Sequence, residues 1–186
     1  MAIKSTIYKA NLSIADIDHA YYADHPMTLA RHPSETDERM MVRLAALALN
    51  AHKLQTVCKG DGILAFGAGL SAVEEPDVWL RDFTDECKLW IEVGQPEEKP
   101  ILRACGKSDE VHIYTFHHSS SIWWKAIENK VIRAQNLRVY HFSNEATQTL
   151  ARMAQRSMQL QATIQEGQLM LSDSQTTVEI EPLVWK

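Results

Sequence analysis

The order of its predicted elements places this chain in the α/β class, as a mixed sheet flanked by helices with an antiparallel β extension from the two chain ends. Between residues 88 and 142 the pattern runs strand, helix, strand, helix, strand, which is typical of a parallel sheet with right-handed crossovers. After residue 157 the pattern becomes that of a hairpin, and residues 6–14 alternate polar and apolar side chains as an early strand. These three observations predict the fold class.

The first half of the chain contains one clear helix. Ser34 is a good N-cap residue, Asp37 lies three residues further on as in a capping box, and apolar residues then recur at helical spacing, which predicts a helix over 35–52. The segments that follow are a strand over 54–58 and a glycine-rich loop over 60–69. The run Glu75-Pro76-Asp77 is typical of a helix start, because proline fits the first helical turn.

Strands and helices alternate in the second half. Apolar runs predict strands over 89–93, 111–116 and 137–142, and amphipathic segments predict helices over 97–107, 121–134 and 144–156. A hairpin over 160–171 and a strand over 178–181 follow. With 186 residues and 45% hydrophobic content, the chain can close one substantial core. We expect a single domain over 1–186, with a core of about 30–156 and a β extension from about 3–15 and 157–182.

Charge and cysteine content exclude several classes of protein. A net charge of -5 argues against binding to nucleic acid through bulk electrostatics, although it leaves room for a local basic strip. Cys58, Cys87 and Cys105 form no CxxC pair and suit buried thiols in a reducing compartment better than disulfides or a zinc site. No signal-like stretch and no window long enough to span a membrane occur. We therefore expect a soluble, cytoplasmic protein with no membrane partner.

Glu38 is the first candidate functional residue. It lies three and seven residues before Met41 and Ala45, so it extends the apolar stripe of the first helix toward the N-terminus. The alternative interpretation is an exposed acid in the first turn, which would complement the positive end of the helix dipole.

Glu92 is the second candidate, because it interrupts the apolar strand Trp90-Ile91-Glu92-Val93. A carboxylate inside such a strand costs free energy unless a partner or a bound cation compensates for its charge. The alternative interpretation is a structural acid that forms an ion pair with Arg81 or Arg103.

Four segments of the chain together resemble one known family. They are Ala30-Arg31-His32-Pro33-Ser34-Glu35-Thr36, Glu38-Arg39-Met40, Glu75-Pro76 with Trp79, and Trp90-Ile91-Glu92-Val93-Gly94-Gln95-Pro96. In order and spacing they resemble the YaeQ family over essentially the whole chain. This resemblance implies a restriction-endonuclease-like fold, built on a variant of the PD-(D/E)xK nuclease core.

The resemblance also implies roles for individual residues. Glu38 corresponds to the acid on the helix, which orients water, and Glu92 to the acid of the ExK tripeptide. Glu75 is our choice for the acid between them, with Asp77 and Asp82 as alternatives. Mg²⁺ or Mn²⁺ would be held by Glu75, Glu92 and the carbonyl group of Val93, since hard cations prefer oxygen ligands. We expect Glu38, Glu75 and Glu92 to converge in one cleft.

The sequence departs from the superfamily pattern where the lysine of ExK should stand. Two residues after Glu92 the chain has Gly94, so no cation projects from that face of the strand. Gln95 could turn back toward the site as a neutral substitute, and we expect it to face the cleft. Lys99, on the following helix, could instead reach in and supply the positive charge.

Two functions follow from these residues. The first is a divalent-metal-dependent nuclease-like enzyme that acts on phosphodiester bonds of DNA or RNA. The second is a non-catalytic protein of the same fold with a binding or regulatory role, which the missing lysine and the acidic net charge favour. Nucleic acid is the expected partner in the first case.

Overall fold

Strands form two separate sheets in the computed structural model, which describes residues 4–68, 70 and 74–186. The strands are β1 (Thr6–Asp16), β2 (Tyr21–Arg31), β3 (Gly62–Phe66), β4 (Val78–Asp82), β5 (Cys87–Val93), β6 (Glu110–Thr115), β7 (Leu137–His141), β8 (Ser157–Gln165), β9 (Gln168–Ser172), β10 (Thr177–Ile180) and β11 (Leu183–Val184). The helices are α1 (Asp37–Asn50), α2 (Lys53–Thr56), α3 (Glu98–Lys107), α4 (Ser120–Val131) and α5 (Asn144–Arg152).

The central sheet carries the alternating pattern that the sequence predicted. Its strand order is β11-β7-β6-β5-β4-β3, and β5, β6 and β7 are parallel, with α3 and α4 as the crossovers between them. β4 pairs with β5 in the antiparallel direction, as do β3 with β4 and β11 with β7. The central sheet is therefore mixed, with a parallel middle.

The terminal sheet joins the two ends of the chain in the order β10-β9-β8-β1-β2. Three of its four strand pairings are antiparallel, as expected for the extension, but β1 and β8 pair in parallel, with Leu12 opposite Leu160. β2 was not predicted at all and lies partly in the segment that we assigned to the core. It is an edge strand whose residue Pro26 lacks an N–H group, and edge positions tolerate proline.

Helix α1 lies between the two sheets and contacts β2 and β9 of one sheet and β4 and β5 of the other. Residues 40–48 of this helix are all buried, as expected for a helix that is covered on every side. One hydrophobic core therefore includes α1 and the facing sides of both sheets. A second cluster fills the space between the outer face of the central sheet and helices α3 and α4.

Two local predictions were wrong. Residues 54–58 are mainly helical, within and after α2, because the backbone at 51 and 52 continues in the helical conformation. Glu75-Pro76-Asp77 begins no helix and leads directly into β4. The loop predicted over 60–69 contains β3, and residue 69 lies outside the described residues.

No described helix has the length and hydropathy needed to cross a membrane.

Candidate acidic site

Asp77 and Glu92 lie opposite each other at the end of the β4–β5 pair. Val78 of β4 is in register with Ile91 of β5, so the next position along the antiparallel ladder sets Asp77 opposite Glu92. The backbone N–H of Val93 donates a hydrogen bond of 2.8 Å to Oδ2 of Asp77, which is buried. Asp77, directly before β4, and Glu92, near the end of β5, are therefore neighbours across the strand pair.

Arg39 reaches this strand end from the first turn of α1. Its Nη2 donates to both carboxylate oxygens of Asp77 at 2.8 Å and to the carbonyl oxygen of Val93 at 3.2 Å. Its Nη1 donates to Oε1 of Glu35 at 2.8 Å, and its backbone N–H donates to the N-cap side chain of Thr36. Burial alone would lower the pKa of Arg39, but the charges of Asp77 and Glu35 outweigh burial and raise it.

Arg43 extends these contacts into the core. It is fully buried, and its Nη2 donates to Oε2 of Glu35 at 2.9 Å and to the carbonyl oxygen of Ala30 at 3.1 Å. Positive and negative groups thus alternate from Arg43 through Glu35 and Arg39 to Asp77. We call these four residues the buried charge chain, and their formal charges cancel.

Within the part of the chain that the structure describes, no basic side chain forms an ion pair with Glu92. Trp90, two residues earlier on the same face of β5, donates an indole N–H to Oε1 of Glu92 at 2.8 Å. Burial, together with the negative charge of Asp77, raises the pKa of Glu92 to about 7. The hydrogen bond from Trp90 and the charge of Arg39 act in the opposite direction. A carboxyl group that changes charge near neutral pH is a candidate functional group.

The structural alternative for Glu92 finds no support in the described contacts. Arg81 forms its ion pair with Asp85 at 2.9 Å, and Arg103 forms its ion pair with Glu74 at 2.6 Å. Within the described residues, neither arginine forms an ion pair with Glu92.

Gly94 ends β5 with a backbone φ of +112°, in the region that favours glycine. Its N–H donates to the carbonyl oxygen of Tyr114, and apart from the two adjoining residues no described atom lies within 4 Å of the position that a Cβ would occupy. Space is therefore available there, but the backbone conformation disfavours any other residue. The backbone conformation therefore disfavours a lysine at this position.

Gln95 turns toward the start of α4. Its side-chain amide donates to Oγ of Ser119 at 2.9 Å and to Oγ of Ser120 at 3.2 Å. Gln95 and the exposed Lys99 border the same shallow groove between α3 and α4. Among the described contacts, neither side chain bonds to Asp77 or Glu92, so their expected orientation toward these acids stays a prediction.

Glu38 and Glu75 point to other neighbours. Oε1 of Glu38 accepts a hydrogen bond of 2.6 Å from the hydroxyl group of Thr147 on α5. Glu75 is exposed, accepts a weak hydrogen bond from the N–H of Ala68 at 3.4 Å, and borders a groove beside Trp90. In the described part of the chain, no hydrogen bond or ion pair connects Glu38, Glu75 and Glu92 with one another.

Asp82, the third choice for the middle acid, lies at the far end of β4. It accepts hydrogen bonds from Thr84 and forms an ion pair with Lys88 at 3.4 Å. Five strand positions separate it from Asp77, or roughly 17 Å. Of the three candidates, Asp77 alone bonds directly to the end of β5.

Sequence reasoning missed the part that Arg39 has in this site. A signal was present, because a basic residue in the first turn of a helix is opposed by the positive end of the helix dipole. The position of Arg39 four residues after Glu35 also matches the spacing of a helical ion pair.

Comparisons with known proteins agree over the full length of the chain. The family model described as YaeQ protein matches residues 1–182. The protein of Escherichia coli strain K12 described as "Uncharacterized protein YaeQ" is 41% identical over 187 residues, covering 100% of this chain and 98% of that protein. The corresponding Salmonella typhi protein has the same identity and coverage.

Two crystal structures share the fold. YaeQ protein from Xanthomonas axonopodis pv. citri is 41% identical, with a TM-score of 0.89 and coverage of 98% of both chains. YaeQ protein from Pseudomonas syringae is 29% identical, also with a TM-score of 0.89, covering 98% of this chain and 96% of that chain.

Proposed function

This chain belongs to the YaeQ family, and we propose that it is a divalent-metal-dependent nuclease-like enzyme for phosphodiester bonds of nucleic acid. The observation that carries the proposal is the register that sets Asp77 opposite Glu92, with the carbonyl group of Val93 beside them. The order of elements agrees with a PD-(D/E)xK core. Helix α1 comes first, Asp77 then directly precedes strand β4, and Glu92 lies within strand β5.

The available donor atoms suit Mg²⁺ or Mn²⁺, because two carboxylates and a backbone carbonyl are the oxygen ligands that such cations prefer. We favour Asp77 over Glu75 as the middle acid, because Asp77 is buried and bonded to β5, whereas Glu75 is exposed. A bound Mg²⁺ or Mn²⁺ would supply an activated water and neutralise charge on the phosphate. Glu92 must lose its proton to act as a ligand, so binding should strengthen as pH rises through about 7.

Arg39 is the residue that we propose in place of the ExK lysine. Its guanidinium group bonds to Asp77 and to the carbonyl oxygen of Val93, so it must leave both when the cation binds. Once released, a side chain that is already 16% exposed could bond to a phosphate through two N–H groups. This assignment explains how a site without a lysine at Gly94 could still supply positive charge to the transition state.

Cleavage assays test this proposal. Labelled single- and double-stranded DNA and RNA would be incubated with the purified protein and Mn²⁺, for the wild type, Glu92→Gln and Asp77→Asn. We expect cleavage by the wild type and a loss of at least about 100-fold in both variants, the scale typical for removing a group that stabilises charge. Glu179→Gln, on an exposed position of β10, is the matched control and should leave the rate unchanged.

Two outcomes would contradict the proposal. Equal cleavage by wild type and Glu92→Gln would mean that the activity comes from another site or from a contaminant. Absence of cleavage on every substrate would contradict an enzymatic role. Glu75→Gln separates the two choices of middle acid, because it should retain activity if Asp77 is the ligand.

One observation favours the second candidate function, a non-catalytic binding or regulatory protein. Arg39 already donates hydrogen bonds to both carboxylate oxygens of Asp77 and to the carbonyl oxygen of Val93. Its guanidinium group therefore occupies the oxygen atoms that a cation would need as ligands. In that case calorimetry should detect no Mn²⁺ binding at millimolar concentration, and no substrate should be cleaved.

A further inference from the structure

A second group of potential metal ligands lies at the opposite end of α1 from the acidic site. Asp16 ends β1, His19 lies in the turn between β1 and β2, and His52 follows α1 just before α2. We call these three residues the Asp16–His19–His52 cluster. It lies roughly 20 Å from Arg39 along the helix, at 1.5 Å per residue. The two sites therefore share no side chain.

Spacing within the cluster fits a small dication. Nδ1 of His19 lies 3.0 Å from both carboxylate oxygens of Asp16, and Nδ1 of His52 lies 3.3 Å from Oδ2. The three donor atoms all lie within 4.8 Å of one another. Tetrahedral Zn²⁺ binds such ligands at 2.0–2.1 Å, which separates neighbouring donor atoms by about 3.3 Å. Both histidines thus stand close to the required distance from Asp16.

The cluster also contains a buried polar atom without a hydrogen bond. Nδ1 of His52 is buried and has no well-aligned hydrogen-bond partner among the described residues, although the imidazole lies near the backbone of Leu49 and this nitrogen is at ion-pair distance from Asp16. Burial of an unbonded donor or acceptor costs free energy, and such atoms are rare in native proteins. A metal ion between this nitrogen and the carboxylate would give the nitrogen a partner.

His19 is held in place by its own backbone. Its N–H donates to Oδ1 of Asp16 at 3.0 Å, and Ala20 adopts a positive φ of +51° that closes the turn. The imidazole rings of His19 and His52 stack at 3.6 Å, with an angle of 3° between their planes. The lone pairs of two parallel stacked rings point in parallel directions and do not meet at one point. One ring must therefore rotate before both nitrogens can bind the same ion. The side chain of His19 is 42% exposed, which leaves room for this rotation once its ring gives up a hydrogen bond to Asp16.

We propose that Asp16, His19 and His52 bind a transition-metal dication of the Zn²⁺ type, at a site separate from the acidic site. Two imidazoles and one carboxylate suit Zn²⁺, whereas Mg²⁺ prefers oxygen ligands. Three protein ligands leave a fourth position open. A cavity of about 460 Å³, lined by both histidines and by Tyr114 and Tyr140, gives this position access to water or to a small ligand.

Metal titration of the full chain tests the proposal. The protein would be dialysed against a chelator and titrated calorimetrically with Zn²⁺, first alone and then in the presence of Mg²⁺. We expect saturable binding of one equivalent of Zn²⁺, with no competition from Mg²⁺. His19→Ala should weaken Zn²⁺ binding by about 100-fold or more, because even partners outside the ligand set change metal affinity by 10–100-fold. His118→Ala, at another exposed histidine, is the matched control.

Thermal unfolding provides a second measurement. Zn²⁺ should raise the Tm of the wild type and of His118→Ala, but not that of His19→Ala, since a ligand stabilises only the state that binds it. Asp16→Asn keeps the shape of the buried side chain while removing its charge, and it should also lose the Zn²⁺ effect. Equal Zn²⁺ affinity in wild type and His19→Ala would overturn the proposal, as would absence of saturable Zn²⁺ uptake. Both results are independent of phosphodiester cleavage.

Discussion

Glu92 makes the stability of the fold depend on pH, because its carboxyl group titrates near 7 in the folded chain and near 4.5 when unfolded. Between these two values the folded chain binds more protons than the unfolded chain, so the free energy of unfolding must fall as pH rises. The loss should reach at most about 3 kcal/mol, at 1.4 kcal/mol per pKa unit. Below about pH 4.5 the raised pKa of Glu92 makes its full contribution to the free energy of unfolding, and above about pH 7 that contribution is lost.

Glu92→Gln should remove this pH dependence, because the amide stays neutral throughout. The measurement is urea-induced unfolding at pH 5 and pH 8 for the wild type, Glu92→Gln and the exposed control Glu179→Gln. The difference between the two pH values should be smaller in Glu92→Gln by about 2–3 kcal/mol and unchanged in the control. The same pH dependence in all three proteins would show that the pKa of Glu92 is not raised.

Gly94 and Gly106 provide a matched pair for testing backbone strain. Apart from the adjoining residues and the backbone of α3 itself, no described atom lies within 4 Å of a Cβ added at either position, but only Gly94 has a positive φ. Gly94→Ala should lower the free energy of unfolding by about 1–3 kcal/mol through strain. Gly106→Ala, near the end of α3, should raise it by up to about 1 kcal/mol, because alanine favours helix. Denaturant-induced unfolding of both variants measures these two changes. If the free energy of unfolding changed in the same direction in both, backbone strain at Gly94 would not be the cause.

Single residues also mark the limit of sequence reasoning at the acidic site. Glu92 could be chosen from sequence, since a carboxylate inside an apolar strand is visible in the local pattern. Asp77 was only an alternative to Glu75, because both flank Pro76 and nothing local shows which acid meets β5. Arg39 could be recognised as a partner of Asp77 only from the three-dimensional positions of α1 and of the ends of β4 and β5. Contacts over 38 residues of chain leave no periodic signal.

At the scale of elements, segments that follow one period in sequence were predicted correctly. The helix over 35–52 and the alternating segments of the central sheet agree with α1 and with β5 through α5 to within a few residues. β2 escaped prediction because it is a half-exposed edge strand that contains Pro26, so its apolar alternation is weak. The helix predicted at Glu75 failed because pairing with β5 outweighs local capping preferences.

Helix α1 is fixed at its N-terminal end by the buried charge chain, which a double-mutant cycle can test. Glu35→Gln or Arg43→Met alone should cost about 3–5 kcal/mol, because each leaves a buried charge without its partner. The double variant should cost less than the sum of the two, with a coupling energy of about 0.5–3 kcal/mol.

The control cycle uses Glu74 and Arg103, an ion pair in which both side chains are more than half exposed. Its coupling should stay below about 1 kcal/mol, since water screens exposed charges. Chemical denaturation of the six variants gives both coupling energies. If the coupling energy of the buried pair were no larger than that of the exposed pair, the buried charge chain would not anchor α1.

At the scale of the whole molecule, the terminal sheet depends on parallel pairing between β1 and β8, whose paired residues are 148 positions apart in the chain. Local patterns predicted both strands but not their relative direction, because nothing within either segment specifies the partner. The hydrophobic core that surrounds α1 includes side chains of both sheets. Two sheets that share one core should unfold together.

Leu12→Ala tests this cooperativity, because Leu12 is fully buried in β1 while all five tryptophans belong to the layer of the central sheet. Truncation of a buried leucine should lower the free energy of unfolding by about 2–5 kcal/mol. Tryptophan fluorescence and far-ultraviolet circular dichroism should shift to the same new denaturant midpoint, although the substitution lies in the sheet without tryptophan. Ile113→Ala, in the central sheet, is the reciprocal variant and should also shift both signals equally. A fluorescence midpoint that Leu12→Ala leaves unchanged would mean that the terminal sheet unfolds on its own, because the tryptophan layer would then not sense its loss.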